Sequence, residues 1–69
     1  MFTYEPFIEE EMREFYEGLA EDQKRKYIAT EADKLGHGGD QYIAKILGCS
    51  IKTIQRGKEE LEEYRLKKN

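Results

Sequence analysis

The 69-residue sequence predicts an all-α fold: a small helical domain of about four helices containing a helix-turn-helix, with no wing. Three observations carry that expectation. Apolar residues recur at helical spacing in four successive segments. Glycines punctuate the chain between those segments, at Gly18, Gly36, Gly38, Gly39 and Gly48. Ala44, Gly48 and Ile54 stand at the intervals of two short helices that meet at a tight turn, with the small residue at the crossing and the isoleucine facing back to the core.

Pro6 suits the first turn of a helix, where its missing N–H is no loss. From there Ile8, Met12, Phe15, Tyr16 and Leu19 share one face. Glu9, Glu10 and Glu11 place negative charge near the positive end of the helix dipole. Gly18 marks the stop, so the first helix is expected over 6–17. The second helix, 21–35, turns Tyr27, Ile28, part of Glu31, Ala32 and Leu35 inward and leaves Lys24, Arg25 and Lys26 mostly solvated. Gly36 is a natural C′ residue, and His37-Gly38-Gly39 makes a short corner. Asp40 is the expected N-cap of a third helix, Gln41 to Leu47, whose buried side is Tyr42, Ile43, Ile46 and Leu47.

At Gly48 the chain must turn sharply, and glycine reaches φ > 0 without Cβ strain. Ser50 then sits where an N-cap belongs. The fourth helix is expected from Ser50 to about Leu66, with Ile51 (partly), Ile54, Leu61 and Tyr64 inward. Gly57 interrupts it at a cost of about 1 kcal/mol relative to alanine. Either another helix packs close at that point or the helix bends there. Glu63 and Lys67 add a favourable i, i+4 pair. The chain therefore reads as one domain, 1–69: an acidic first helix at 6–17, a second helix at 21–35, the helix-turn-helix at 40–58 and a helix extension at 59–69.

A domain this short buries only about 60% of its unfolded surface, so its stability is expected to be marginal. One cysteine cannot form an intramolecular disulfide, and a reducing cytoplasm is the simplest setting. No apolar run approaches the roughly 20 residues of a membrane span, and no basic-then-apolar leader opens the chain. A soluble, cytoplasmic protein with no membrane partner is expected. Net charge is −3, but it is unevenly spread. Residues 1–23 carry eight acids and one base, whereas residues 40–58 carry four bases and one acid. Such polarity suits a module with one nucleic-acid face.

The outward face of the fourth helix's first two turns shows Lys52, Thr53, Gln55 and Arg56, with Ser50 at its cap. Arginine can donate two bonds to guanine, glutamine can pair with adenine, and threonine offers a hydroxyl and a methyl group. Lys52 and Lys58 suit phosphate oxygens, backbone N–H groups near Gly39 and Ser50 add anion contacts at helix N-termini, and Gln41 is expected among the DNA-binding residues. Sequence-specific binding of double-stranded DNA is the expectation. A single module has a small footprint, so a second copy or a downstream catalytic domain is an expected partner. The competing expectation is a protein–protein interaction module that uses the acidic first helix and exposed tyrosines among Tyr4, Tyr16, Tyr27, Tyr42 and Tyr64.

No catalytic set is expected. The glutamates of the first helix come with neither a pocket nor a nucleophile, and His37-Gly38-Gly39 lacks the lysine of a phosphate-binding loop. His37 has no ligand cluster at metal spacing, and Cys49 reads as a small core residue. No metal, cofactor or small-molecule substrate is therefore expected, and the chain is not read as an enzyme. Leu61 and Tyr64 sit three apart, too little for a coiled coil.

Two motifs invite a family comparison. Lys24 to Gly39 reads Lys-Arg-Lys-Tyr-Ile-Ala-Thr-Glu-Ala-Asp-Lys-Leu-Gly-His-Gly-Gly, and Thr53-Ile54-Gln55-Arg56-Gly57 follows the Gly48 turn. Over about residues 19–61 this resembles the N-terminal region of insertion-sequence transposases of the Rhodopirellula type. In that family a Leu-Gly-x-Gly-Gly corner leads into a helix-turn-helix whose second helix carries Thr-Ile-x-Arg-Gly. The resemblance implies binding to transposon-end DNA, ahead of a catalytic domain with an acidic metal-binding triad; the departures from the family leave open a free-standing DNA-binding protein, such as a transcription regulator. Tyr27 stands where the family tends to have tryptophan, and the acidic first helix departs from it. No catalytic residue carries over onto this chain.

Overall fold

A computed structural model of the protein describes residues 3–68. It contains α1 (Pro6–Glu17), α2 (Glu21–Leu35), α3 (Gly39–Leu47) and α4 (Ile51–Lys68), with no strand among the described residues. The all-α class is as the sequence predicts, and α1 and α2 have the expected bounds. The last residue of the expected extension, Asn69, lies outside the described residues. No helix is long and apolar enough to cross a membrane.

One isoleucine from each of three helices, Ile28, Ile43 and Ile54, is fully buried. Met12 from α1 closes the cluster, with Ala32, Tyr42, Ile46 and Leu47 around it. The side of α3 expected to be buried is buried. Two expectations fail here. Phe15 is 58% exposed: three residues beyond Met12 is about 300° of helix turn, which carries its ring to the flank. There it rests edge-on against Tyr27 at 5.1 Å. Tyr64 is exposed as well, within a run of exposed residues from 62 to 67, and its ring lies 5.7 Å from the Lys26 ammonium of α2.

The most extensive interface joins α2 and α4, and Gly57 makes it possible. A Cβ at this position would collide with the Arg25 carbonyl oxygen and meet Ala29 Cβ at 3.2 Å. Of the two explanations open for Gly57, the close approach of another helix is the one realised. Ala29, absent from the apolar face expected for α2, is fully buried at this crossing. Arg25 is not left in solvent either: its Nε donates to Glu60 Oε1 at 2.9 Å across the same interface.

The start of α3 also differs from expectation. The helix begins at Gly39, and its N-cap is Gly38 at φ 85°, not Asp40. Gly39 is pressed so closely against α2 that a Cβ would lie 2.5 Å from Ala32 O, which draws the first helical residue in ahead of Asp40. Asp40 falls in the first turn, and its carboxylate accepts from Lys58 Nζ of α4 at 2.6 Å. Arg65 reaches Asp33 at 3.4 Å, a further tie between α4 and α2. Glu63 and Lys67 form no ion pair; the i, i+4 pair present in α4 is Arg56–Glu60.

α1 is latched to α3 from both ends. Arg13 Nη1 donates to the Ile46 carbonyl at 3.2 Å, and the Tyr42 hydroxyl donates to Glu9 while accepting from the Tyr4 N–H at 2.9 Å. α1 lies against α3 and α2, and its backbone does not come close to that of α4; Met12 and Ile54 share the core cluster between them.

Two outcomes are expected. Gly57→Ala, which stabilises an exposed helix by about 1 kcal/mol, should instead destabilise this domain by about 1–3 kcal/mol, because backbone must move; urea denaturation reads the sign. Burial pushes the Tyr16, Tyr27 and Tyr42 hydroxyls above the ordinary tyrosine range, and the bond to Glu9 adds to it at Tyr42. The unfolded chain therefore releases these protons first, at about pH 10. The stability they contribute is complete below that pH and is lost as pH rises through the higher folded values. Melting temperature should fall across that alkaline window while tyrosinate absorbance lags behind that of the unfolded chain.

Candidate nucleic-acid interface

The turn between α3 and α4 determines which side of α4 faces outward. Gly48 adopts φ 71° and ψ 30°, a conformation that carries a side chain only under strain. The N–H groups of Gly48 and Cys49 both donate to the Ala44 carbonyl, at 3.0 and 3.2 Å, which closes α3. Cys49 then packs on the core, and burial pushes its thiol up. A thiol so placed is a poor nucleophile at neutral pH, in keeping with a packing role.

Ser50 caps α4 as its position predicts. Its Oγ accepts the Thr53 N–H at 3.1 Å and lies 2.8 Å from Thr53 Oγ1. The helix spans from Ile51, one residue beyond the expected start, and the Ser50 carbonyl accepts its first bond, from the Ile54 N–H at 3.2 Å. With Ile54 fully buried, Lys52, Gln55 and Arg56 are necessarily carried outward, and all three are exposed. Thr53 is half-buried, its hydroxyl turned to Ser50. These five residues, joined by Glu59, line one shallow open depression. Five of the eight predicted residues are thus brought together.

The other three are not part of that face. Gly39 is buried, and its N–H already donates to the Gly36 carbonyl at 2.9 Å, so it offers nothing to an anion. Lys58 is held by Asp40, because the α3 start brings that carboxylate within reach; it is not a free cation waiting for a phosphate. Gln41 is exposed in the first turn of α3, where it shares a second depression with His37 and Lys58. His37 is exposed at the corner, as expected.

Arg56 is 72% exposed, and its nearest partner is Glu60 Oε2, 3.8 Å from Nε. The other oxygen of Glu60 takes Arg25 Nε. Sequence reasoning missed Glu59, Glu60 and Arg25 as members of this neighbourhood. The Arg56–Glu60 spacing of four was a legible signal. The Arg25–Glu60 bond spans 35 positions and leaves no local trace.

No group of three or more histidines, cysteines or acids among the described residues is placed to hold a metal ion. Comparison of the chain with protein-family models, curated proteins and solved structures gives no match.

Ser50→Ala should destabilise the domain by about 1 kcal/mol through loss of the cap, with Ser50→Asp restoring most of it. Thermal denaturation of the two variants side by side checks this.

Proposed function

We propose that the chain binds double-stranded DNA in a sequence-specific manner, with α3 and α4 acting as a helix-turn-helix and the first two turns of α4 entering the major groove. The observation that carries the reading is the single face on which Ser50, Lys52, Thr53, Gln55 and Arg56 come together behind a turn closed by Gly48. Arg56 and Gln55 have the donor patterns for guanine and adenine edges, and Lys52 has the charge for a phosphate. The acids of α1 support the reading by their placement. That helix is held against α3 and α2, so those acids are carried on a different element from the one proposed to meet DNA.

The resemblance to insertion-sequence transposases makes transposon-end DNA the first target to try, with promoter DNA the second. In either role the chain contributes recognition and no chemistry of its own. Binding by one such module is weak in specificity, so a second copy or a linked domain is part of the proposal.

A second reading, a protein-interaction module, draws on Phe7 and Phe15, each 58% exposed on the acidic α1. The tyrosines lend it less: Tyr42 is buried, Tyr4, Tyr16 and Tyr27 are half-buried, and only Tyr64 is exposed. Selection of bound sequences from a random duplex pool, followed by gel retardation at low salt, separates the two readings. On the selected duplex, Arg56→Ala should cost about 1–3 kcal/mol and relax the preference at one base pair. Lys52→Ala should weaken all duplexes alike and flatten the dependence on salt. A chain that retards no duplex at low salt is not a DNA-binding module.

A further inference from the structure

We propose that Glu60 is a positioning residue for Arg56, restraining the guanidinium on the outward face of α4 so that its terminal nitrogens meet a base edge; this rests on the DNA-binding reading above. The geometry is a chain of three groups. Arg25 of α2 donates through Nε to Glu60 Oε1 at 2.9 Å, and Glu60 Oε2 lies 3.8 Å from Arg56 Nε. Glu60 is thus anchored by a different helix from the one that carries it. The anchor exists because Gly57 lets the backbone of α2 at Arg25 come against α4 one turn before Glu60.

The two arms of the carboxylate differ in the way such a device needs. The Arg25 arm is a hydrogen bond, with the two side chains only about a third exposed or less (28% and 35%). The Arg56 arm is a looser ion pair to a mostly exposed side chain. It narrows the directions open to a long, rotamer-rich arginine and leaves the guanidinium free to move toward a groove. Nε is the nitrogen nearest the carboxylate, which leaves the two terminal nitrogens clear of that contact for a bidentate pair with guanine. Restraint in advance lessens the ordering loss on binding, and it does so only for the duplex that Arg56 reads.

The charge of Glu60 gives the proposal a distinctive sign. Glu60→Gln keeps the size and an oxygen for Arg25 while removing one negative charge beside the DNA face. A scrambled duplex should therefore bind the variant more tightly than the parent. The selected duplex should gain less, so the ratio of the two affinities should fall about three- to tenfold. Repeating the substitution in an Arg56→Ala background isolates the route, because there the ratio should not respond. An unchanged ratio in the parent background overturns the proposal, and so does an equal fall in both backgrounds.

A measurement without DNA tests the restraint itself. In nitrogen-15 relaxation of the free chain, the Arg56 Nε–H vector should be more restricted in the parent than in Glu60→Gln. Equal order parameters overturn the restraint even where DNA binding holds. A parent chain that retards no duplex at all removes the positioning role together with the DNA reading, and the relaxation measurement tells that failure apart from a missing restraint.

Discussion

The contact of two backbones at Gly57 sets the rest of the structure. The Arg25 carbonyl stands where any side chain on residue 57 would have to be, so α2 and α4 can pack this closely only with glycine there. That proximity buries Ala29 and brings Ile28 and Ile54 into one cluster with Ile43. In a domain that hides only about 60% of its unfolded surface, a single close crossing carries a large share of the available core. A bulkier residue would part the two helices and open the cluster along its length. The helix-propensity cost of glycine, about 1 kcal/mol, is offset by the packing it allows.

The same crossing governs what α4 shows to solvent. A helix with Ile54 turned fully inward and a glycine pressed on its neighbour has little freedom to rotate, so Lys52, Gln55 and Arg56 are held outward. The cap and turn act with it. Gly48 redirects the chain, the Ala44 carbonyl takes two donors, and Ser50 satisfies one of the amides left over at the start of α4. Rigidity of this kind is what a recognition surface needs, since side chains on a well-held helix lose less freedom on binding than those on a loop.

Charge follows the architecture. The acidic α1 is fastened to α3 by Arg13 and by Tyr42. Much of the chain's negative charge is thereby carried on a different helix from Lys52 and Arg56. Glu59 and Glu60 keep the face from being uniformly basic, which favours contacts of defined geometry over general attraction.

Nearly all of the helix layout was legible in the sequence, because it obeys rules that act over a few residues. Pro6 at a first turn, apolar residues at i and i+4, Ser50 ahead of Thr53 and Gly48 at a reversal are each decided by the chain's immediate neighbourhood. Lys52, Gln55 and Arg56 could be named for the same reason, since Ile54 turned inward leaves them on the outer side, and Ser50 could be named as the cap. What needed the tertiary structure was every pairing across helices. Asp40 left its expected capping role for Lys58, 18 positions away, and Arg25 left solvent for Glu60, 35 positions away. Gly39 became a packing residue against Ala32, while Phe15 and Tyr64 stayed outside the core. Spacing along one helix shows which residues share a side, whereas the partner that each side meets depends on how closely the helices approach, and here two glycines set that distance.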